Sequence, residues 1–384
     1  MQVKRAYRYR FYPTPEQEVN LAQTFGCVRY VYNEMLRLRT DAFYKHGEKI
    51  NYHDTSFLLT NMKHNGSAPW LNDVSCVPLQ QGLRHLHTAF LNFWAGRTKY
   101  PKFKSKYDKQ SAEYTASAFR YKDGTLKLAK QKEPLDIRWS RSFTGKPSTV
   151  TVSKDKAGRY FVSILVEEDI QPLPPNKNQV GVDMGIKDVV VTSDGFKSGA
   201  PKYIRKYEKK LARAQRNLAR KKKGSKNRAK ARIKVARIHA KIADSRRDFN
   251  HKLTTKLIRE NGVICIETLA VKNMMRNHCL AKSIADSSMG EIRRMLEYKA
   301  EWYGRELIGI DRWFPSSKRC FECGYINSDL KLSDRRWTCP ECSANLDRDI
   351  NASRNILAAG QAERLNAFGD SVSLLSSIGI SSNR

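Results

Sequence analysis

The sequence predicts an α/β protein of two or three domains, and three observations support this. The chain of 384 residues begins with an alternating strand, helical segments and short β runs. From residue 179 the pattern changes to apolar strands that each contain or end in a single acid. Nearer the C-terminus, two matched Cys-x-x-Cys pairs indicate a small metal-stabilised unit. A chain of this length, 40% of it hydrophobic, can bury more than one core.

Positive charge dominates the composition. Lys and Arg number 71 against 38 Asp and Glu, which gives a formal net charge of +33. Such an imbalance predicts a polyanionic partner such as nucleic acid. Apolar runs stay well short of the roughly 20 residues needed to cross a membrane, and the chain does not begin with an apolar secretory segment. We therefore expect no membrane partner and a cytoplasmic location.

The first 40 residues predict a strand followed by a helix. Aromatic and basic side chains alternate through residues 1–13, as in a strand with one buried face. Thr14 then supplies a capping hydroxyl, a proline follows at the first helical position, and Gln17 completes a capping box. The helix should continue to about Arg39.

Two further helices and a β unit are predicted in the rest of the first half. Helical periodicity marks residues 55–64 and 78–94. The segment 97–109 alternates basic and aromatic residues around a proline, which suits a loop that contacts phosphates and bases. Short alternating runs at 149–152 and 160–166 indicate strands, and the opening strand can belong to the same unit.

After a proline-rich linker, the second half begins with a predicted hairpin and a strongly basic helical pair. Residues 179–195 form an apolar strand with one acid, a glycine turn and a second strand. Residues 201–250 carry 20 Lys and Arg against 3 Asp and Glu. Apolar residues there recur every three or four positions on both sides of Gly224, which predicts an antiparallel helical hairpin with an apolar seam and basic outer faces. The expected nucleic-acid contacts are Lys209, Arg213, Arg216, Arg220, Lys221, Lys222 and Lys223.

Four of the eight cysteines predict a zinc site. Cys320 and Cys323 form one pair, and Cys339 and Cys342 form a second pair fifteen residues further on. Two such pairs present four thiolates to one tetrahedral ion, and four sulfur ligands leave no open position, so a structural Zn²⁺ is expected. A redox pair or a disulfide framework is the alternative. The other cysteines, namely Cys27, Cys76, Cys265 and Cys279, are scattered and suit small packed side chains.

Three acidic positions predict a second, catalytic metal site. Asp183 interrupts the strand of the hairpin, and Glu267 ends another apolar strand. Asp347 and Asp349 follow the second cysteine pair, just before a short predicted helix. Carboxylates that converge from three elements suit Mg²⁺ or Mn²⁺, and two such ions can support phosphodiester hydrolysis. Each acid taken alone could equally be a helix cap or a member of an ion pair.

These motifs, in this order, resemble those of the TnpB family, transposon-encoded RNA-guided nucleases related to type V CRISPR effectors. The resemblance rests on Gly-Val-Asp-Met-Gly-Ile-Lys-Asp, Ile-Cys-Ile-Glu, the cysteine pairs and Asp-Arg-Asp-Ile-Asn-Ala-Ser-Arg-Asn-Ile. It extends to the opening Arg-Phe-Tyr-Pro-Thr-Pro-Glu-Gln and covers nearly the whole chain. Relatives often carry Gly and His after the last cysteine pair, and this chain does not, but no zinc ligand is lost.

The resemblance implies an RNase H-like, RuvC nuclease domain formed by residues 179–317 and 346–360. The basic hairpin 201–250 and the zinc ribbon 318–345 would be inserted in it. The acids matched to the catalytic, magnesium-binding positions are Asp183, Glu267 and Asp349. Asp347 is the acid that is not assigned.

For the rest of the chain, the resemblance implies a small β-barrel from residues 1–14 and 110–172, with a helical recognition domain at 15–109 inserted in it. Residues 173–178 would be a linker and 361–384 a flexible tail. The implied partners are a guide RNA and a double-stranded target DNA next to a short flanking motif, with one protein chain per RNA.

Three alternatives to an RNA-guided nuclease stay open from the sequence. Relatives that have lost the acids act as RNA-guided repressors without cutting, but all three matched acids are present here. A simple RNA-binding ribbon protein would need no acids. A DNA transposase of similar fold usually has its acids in the order Asp, Asp, Glu, whereas this chain has Asp, Glu, Asp.

Overall fold

The computed structural model describes residues 1–64, 67–331 and 333–367, which form two compact units. The first unit contains residues 2–169 and 226–237. The second contains Met1, residues 170–225 and the described residues from 238 onward. Each unit has its own hydrophobic core. None of the described helices is long and apolar enough to cross a membrane.

The first unit is built on a five-stranded antiparallel sheet in the order β2-β6-β7-β1-β5, beside a separate β3-β4 hairpin. The opening strand pairs with β7 along most of its length, from Gln2 opposite Asp169 to Phe11 opposite Tyr160. The predicted opening strand and its membership of the later β unit are therefore confirmed. The strands are β1 (Gln2–Tyr12), β2 (Gln110–Thr115), β3 (Phe119–Lys122), β4 (Thr125–Leu128), β5 (Asp136–Arg138), β6 (Pro147–Lys154) and β7 (Tyr160–Asp169).

Three helices pack into the same core as this sheet. The capping box predicted at the start of the first is present, because the Thr14 hydroxyl accepts from the Gln17 amide and the Gln17 side chain accepts from the Thr14 amide. The predicted end at Arg39 is wrong. Buried residues continue to Ala42, and the helix stops only at Gly47, whose φ of 70° is left-handed. The helices are α1 (Pro15–His46), α2 (Tyr52–His64) and α3 (Cys76–Trp94).

The second unit contains a four-stranded sheet in the order β11-β10-β8-β9 and a two-stranded ribbon, β12-β13. Strand β10 runs parallel to both β8 and β11, whereas β9 is antiparallel to β8, which confirms the predicted hairpin. Parallel neighbours end at the same edge of a sheet. The strands are β8 (Gln179–Asp183), β9 (Val191–Thr192), β10 (Val263–Glu267), β11 (Glu306–Ile310), β12 (Arg336–Thr338) and β13 (Asn345–Asp347).

The remaining helices are α4 (Tyr203–Ala219), α5 (Lys226–Glu260), α6 (Val271–Met274), α7 (Ala281–Ser287), α8 (Met289–Tyr303) and α9 (Arg348–Ala367). The two basic helices predicted on either side of Gly224 are therefore confirmed. On α4 the apolar residues of the predicted seam are half-buried, and no residue of that helix is fully buried. Helix α4 contacts α7, where Asp286 accepts a hydrogen bond from the Ile204 amide and Lys282 pairs with Glu208.

Helix α9 lies directly against the four-stranded sheet. Its backbone approaches β8 so closely that a Cβ at Gly181 would lie 1.9 Å from the Ser353 carbonyl oxygen. A Cβ at Gly360 would likewise lie 2.4 Å from the sulfur of Cys265 on β10. The predicted tail is helical up to Ala367, because α9 continues across the sheet. Residues 368–384 of that tail lie outside the described residues.

We predict that Gly181→Ala destabilises the second unit by about 1–3 kcal/mol, because the added methyl group must push α9 away from β8. Gly290→Ala in α8 is the matched control, since a Cβ there meets no atom within 4 Å and alanine favours a helix. Thermal unfolding of the two variants measures the difference. Equal unfolding temperatures would show that the close approach at Gly181 is not required.

Candidate active site and cysteine cluster

Strand pairing brings two of the predicted acids together. Val182 on β8 lies opposite Ile266 on β10, and each is followed by the last residue of its strand, Asp183 and Glu267. Because the strands are parallel, the two acids leave the sheet side by side at its carboxyl edge. Asp349 lies in the first turn of α9. A cavity of about 680 Å³ is lined by all three acids.

The electrostatics of this cavity indicate a need for positive charge. Burial and the neighbouring carboxylates of Glu267 and Asp349 together raise the pKa of Asp183 to about 8. The arginines Arg348 and Arg335 lower this pKa by less than the two carboxylates raise it. Burial also raises the pKa of Glu267. A hard cation that binds such carboxyls displaces the protons they hold.

The third acid is held by an arginine of the ribbon. Arg335 Nη1 donates to both carboxylate oxygens of Asp349, at 3.2 and 3.3 Å. The three carboxylates are therefore neighbours in one cavity but do not form a tight cluster. Among the described residues, only the four cysteines bring three or more metal-ligand atoms within 4.8 Å of one another. The donor set of three carboxylates still suits Mg²⁺ or Mn²⁺, which prefer oxygen ligands.

Asp347 has a different role from Asp349. Its Oδ1 accepts from the amides of Asp349 and Ile350, so it caps the N-terminus of α9. Its Oδ2 accepts from Lys197 Nζ at 2.7 Å. Burial works to raise the pKa of Asp347, but the hydrogen bonds from Lys197 and the helix amides lower it overall. The structure thus gives this acid the capping function that the sequence left open for each acid.

Ser316 is a site residue for which the sequence indicated no role. It lies in the cavity wall, and its hydroxyl donates to Glu267 Oε1. Its backbone is held by α9, because Asn355 Nδ2 donates to the Ser316 and Arg319 carbonyl oxygens at 2.9 and 2.6 Å. The sequence contains only a Pro-Ser-Ser segment before Cys320. This segment predicts polar side chains there, but not which of them contacts Glu267.

Asn351 joins the same helix to the first cysteine pair. Its Nδ2 donates to the Arg319 carbonyl oxygen at 2.7 Å, and its Oδ1 accepts from the Phe321 amide at 2.9 Å. Asn351 and Asn355 are both buried. One helix therefore carries Asp349, the support for Ser316 and the support for the cysteine loop.

The four predicted cysteines form one cluster. Cys320 Sγ lies 3.7 Å from Cys342 Sγ, and Cys323 Sγ lies 3.6 Å from Cys339 Sγ. These separations are far too long for a disulfide. They match the edges of about 3.8 Å that a tetrahedron of sulfurs has when each metal–sulfur bond is about 2.3 Å. The cluster geometry is therefore compatible with zinc and excludes the disulfide alternative for these four residues.

The predicted nucleic-acid residues all lie at the surface. Lys209, Arg213 and Arg216 are exposed on α4, and the others are exposed at its C-terminal end and in the turn that follows. Their exposure makes them accessible to phosphates.

Comparison with known proteins gives the family. Residues 162–278 match a family model described as "Probable transposase" (OrfB of IS605), and residues 290–356 match a "Cas12f1-like, TNB domain" model. A Streptomyces pristinaespiralis protein named "Putative RNA-guided DNA endonuclease" is 54% identical over 97% of this chain and 92% of its own length. An Escherichia coli K12 protein with the same description, InsQ, is 32% identical over 93% of this chain and 92% of its own length. The chain belongs to the TnpB family.

The two family matches in the second half divide the site residues between them. The first includes Asp183 and Glu267, and the second includes Asp349 and all four cysteines. A third match, to a "Helix-turn-helix domain" at residues 1–48, covers a strand and one long helix in this structure.

The fold is also similar to that of a solved protein chain. A Cas12f1 chain, from a structure with guide RNA and target DNA, superposes with a TM-score of 0.55 over 92% of this chain and 98% of its own length. The sequence identity is 13%, so this similarity concerns the fold alone. It confirms the predicted α/β fold class.

We predict that Asp183→Asn is more stable than the unsubstituted protein at pH 8 in magnesium-free buffer, but not near pH 4. The raised pKa means that folding holds a proton on Asp183, so stability is lost as pH rises from about 4 to 8. The asparagine side chain does not ionise in this pH range. The stability advantage of Asp183→Asn should therefore grow by up to ~1.4 kcal/mol per pH unit between pH 4 and pH 8. Denaturant unfolding at several pH values measures it.

The exposed Asp329→Asn is the control for this effect, and it should show no comparable pH-dependent gain. A stability difference for Asp183→Asn that stays constant from pH 4 to 8 would contradict the burial of this carboxyl.

Proposed function

We propose that this protein is an RNA-guided DNA endonuclease that depends on Mg²⁺ or Mn²⁺ and hydrolyses phosphodiester bonds at a single RuvC-like site. The observation that carries the proposal is the placement of Asp183 and Glu267 side by side at the ends of parallel strands, with Asp349 on the wall of the same cavity. Three carboxylates from three elements can hold the divalent ions that support phosphodiester hydrolysis.

Asp183, Glu267 and Asp349 would hold the divalent ion. When bound, such an ion supplies activation of the attacking water and stabilisation of the leaving oxygen. Ser316 orients Glu267 by hydrogen bonding one of its oxygens. Arg335 holds Asp349 beside the cavity and is near enough to Asp183 to lower its pKa, so it also partly offsets the charge of the acids.

The RNA-guided part of the proposal is supported by the relatives and by charge. The Streptomyces and Escherichia coli relatives both match nearly the whole chain, and both carry the name "Putative RNA-guided DNA endonuclease". Residues 201–250 add a dense and largely exposed positive charge that suits a phosphate backbone. We infer one protein chain per guide RNA, a double-stranded DNA target and action at the nucleoid in a bacterial or archaeal cytoplasm.

The three alternatives to an RNA-guided nuclease are less well supported. A repressor or a simple RNA-binding protein would not need three carboxylates in one cavity. A transposase is favoured only by the description of one family model, and that model covers 117 of 384 residues, from 162 to 278.

We predict that Asp183→Ala, Glu267→Ala and Asp349→Ala each reduce DNA cleavage below detection while binding of RNA and target DNA is retained. The acids hold metal, whereas binding comes from Lys and Arg elsewhere. Cleavage of a labelled duplex by the protein with its co-purified RNA, and a gel-shift with the same duplex, measure the two effects.

Asp347→Ala is the matched control, because it removes a neighbouring acid that caps α9. It should cost about 1 kcal/mol of stability and leave cleavage measurable. Cleavage that survives Asp349→Ala but is lost in Asp347→Ala would reverse the assignment. Cleavage that survives all three substitutions would end the nuclease proposal for this site.

We also predict one structural Zn²⁺ per chain, bound by Cys320, Cys323, Cys339 and Cys342. Cys323→Ser should lower the zinc content and loosen residues 318–345, because so small a ribbon has little core of its own. Elemental analysis and proteolysis of the ribbon provide the measurements. Cys279→Ser, at an exposed cysteine outside the cluster, should change neither. Active protein without zinc would contradict the prediction.

A further inference from the structure

The first unit contains an open cavity far along the chain from the acids. It has a volume of about 480 Å³ and lies between the C-terminal parts of α1 and α3. The turn after α1 and Tyr100 form the rest of its wall. That volume is typical of a small-molecule site. Most of the lining is aromatic, contributed by Phe43, Tyr44, Phe90, Phe93, Trp94 and Tyr100.

A buried arginine forms part of the cavity wall. Arg39 is only 6% exposed, and its guanidinium lies 4.1 Å from the centre of the Phe90 ring and 5.9 Å from that of Trp94. Within residues 1–64, 67–331 and 333–367, no side chain or carbonyl accepts a hydrogen bond from it, and it has no ion pair. Burial lowers its pKa. A guanidinium offers only donors, so this one is suited to an acceptor that enters the cavity.

Two aromatic rings at the cavity are unusually accessible. Tyr44 is 73% exposed and Trp94 is 60% exposed. Tyr100 comes from the basic and aromatic segment 97–109 that the sequence singled out for contacts with phosphates and bases. Its hydroxyl is fixed by the Thr40 hydroxyl at 2.8 Å. Exposed rings next to Lys- and Arg-rich chain are the usual components of a single-strand binding surface.

We propose that this cavity binds one unstacked nucleobase of a single-stranded nucleic acid, with Tyr44 and Trp94 stacking on the base and Arg39 donating to its edge. This proposal rests on the proposed function in one respect, namely that the protein binds nucleic acid. Glu48 and Lys49 line the same cavity with opposite charges, and most of the remaining lining is aromatic, so the cavity suits a flat base better than a phosphate. The basic segment 97–109 remains available for the adjoining phosphates.

The chemistry of Arg39 selects among the bases. Guanine presents two neighbouring acceptors, O6 and N7, which match the guanidinium fork. Uracil and thymine present carbonyl oxygens. Adenine places an amino donor beside N7, which opposes the arginine. We therefore expect guanine to bind best and adenine worst.

Photo-crosslinking tests where a base binds. Tetranucleotides with one 5-iodouracil, made as RNA and as DNA, are irradiated with the full-length protein, and the crosslinked peptides are identified by mass spectrometry. We expect crosslinks at Tyr44 or Trp94, suppressed by GMP more than by AMP. Stronger crosslinking by RNA or by DNA shows which strand supplies the base.

Substitution tests the contribution of the rings. Tyr44→Ala and Trp94→Ala remove exposed side chains and should weaken tetranucleotide binding roughly 5- to 100-fold in salt high enough to screen phosphate contacts. Phe57→Ala is the matched control, since Phe57 is 67% exposed in the same unit and does not line the cavity. Arg39→Lys keeps the charge, loses the fork and should abolish the preference for guanine.

Equal binding by the Tyr44, Trp94 and Phe57 variants would overturn the proposal, as would crosslinks confined to other residues. In that case the cavity would be left to an apolar side chain of a protein partner. Crosslinking reports base binding, which does not involve the acids. Asp183→Ala protein should therefore give the same crosslinks. Loss of nuclease activity and failure of the base site are therefore distinguishable.

Discussion

The parallel pairing of β8 with β10 is the constraint on which the candidate active site depends. It places the last residues of the two strands, Asp183 and Glu267, at one edge of the sheet. A shift of one residue in this register would turn one of the two side chains to the opposite face. Helix α9 then adds the third acid, and it can reach this edge only because Gly181 lets the helix backbone lie against the strand.

Two buried asparagines extend this arrangement to the cysteine cluster. Buried amides are costly unless they are hydrogen-bonded, and here both side chains form hydrogen bonds with the backbone of residues 316–321. The same short segment leads into the first cysteine pair and carries the hydroxyl that holds Glu267. The same hydrogen bonds therefore hold both the first cysteine pair of the ribbon and the position of Glu267 in the cavity.

Local signals in the sequence were enough for part of this structure. The capping box at Thr14, the alternation in β1 and the acid at the end of each strand depend on near neighbours, and the structure confirms the elements they predict. The end of α1, the exposed state of α4 and the length of α9 depend on what each helix packs against. Ser316 and Arg335 gain their roles from residues 49 and 14 positions away, a distance that no local pattern reports.

The asparagine contacts also bear on how such proteins can be recombined. A zinc ribbon is often regarded as a cassette that evolution or a protein engineer can transplant between hosts. Here its first loop is bonded to side chains at 351 and 355, which lie beyond the ribbon in the chain and belong to the helix of the third acid. A ribbon transplanted without the first two turns of α9 would lack the hydrogen bonds from Asn351 and Asn355 that hold its first loop. The segment that must be exchanged as one piece therefore runs from Ser316 to Asn355.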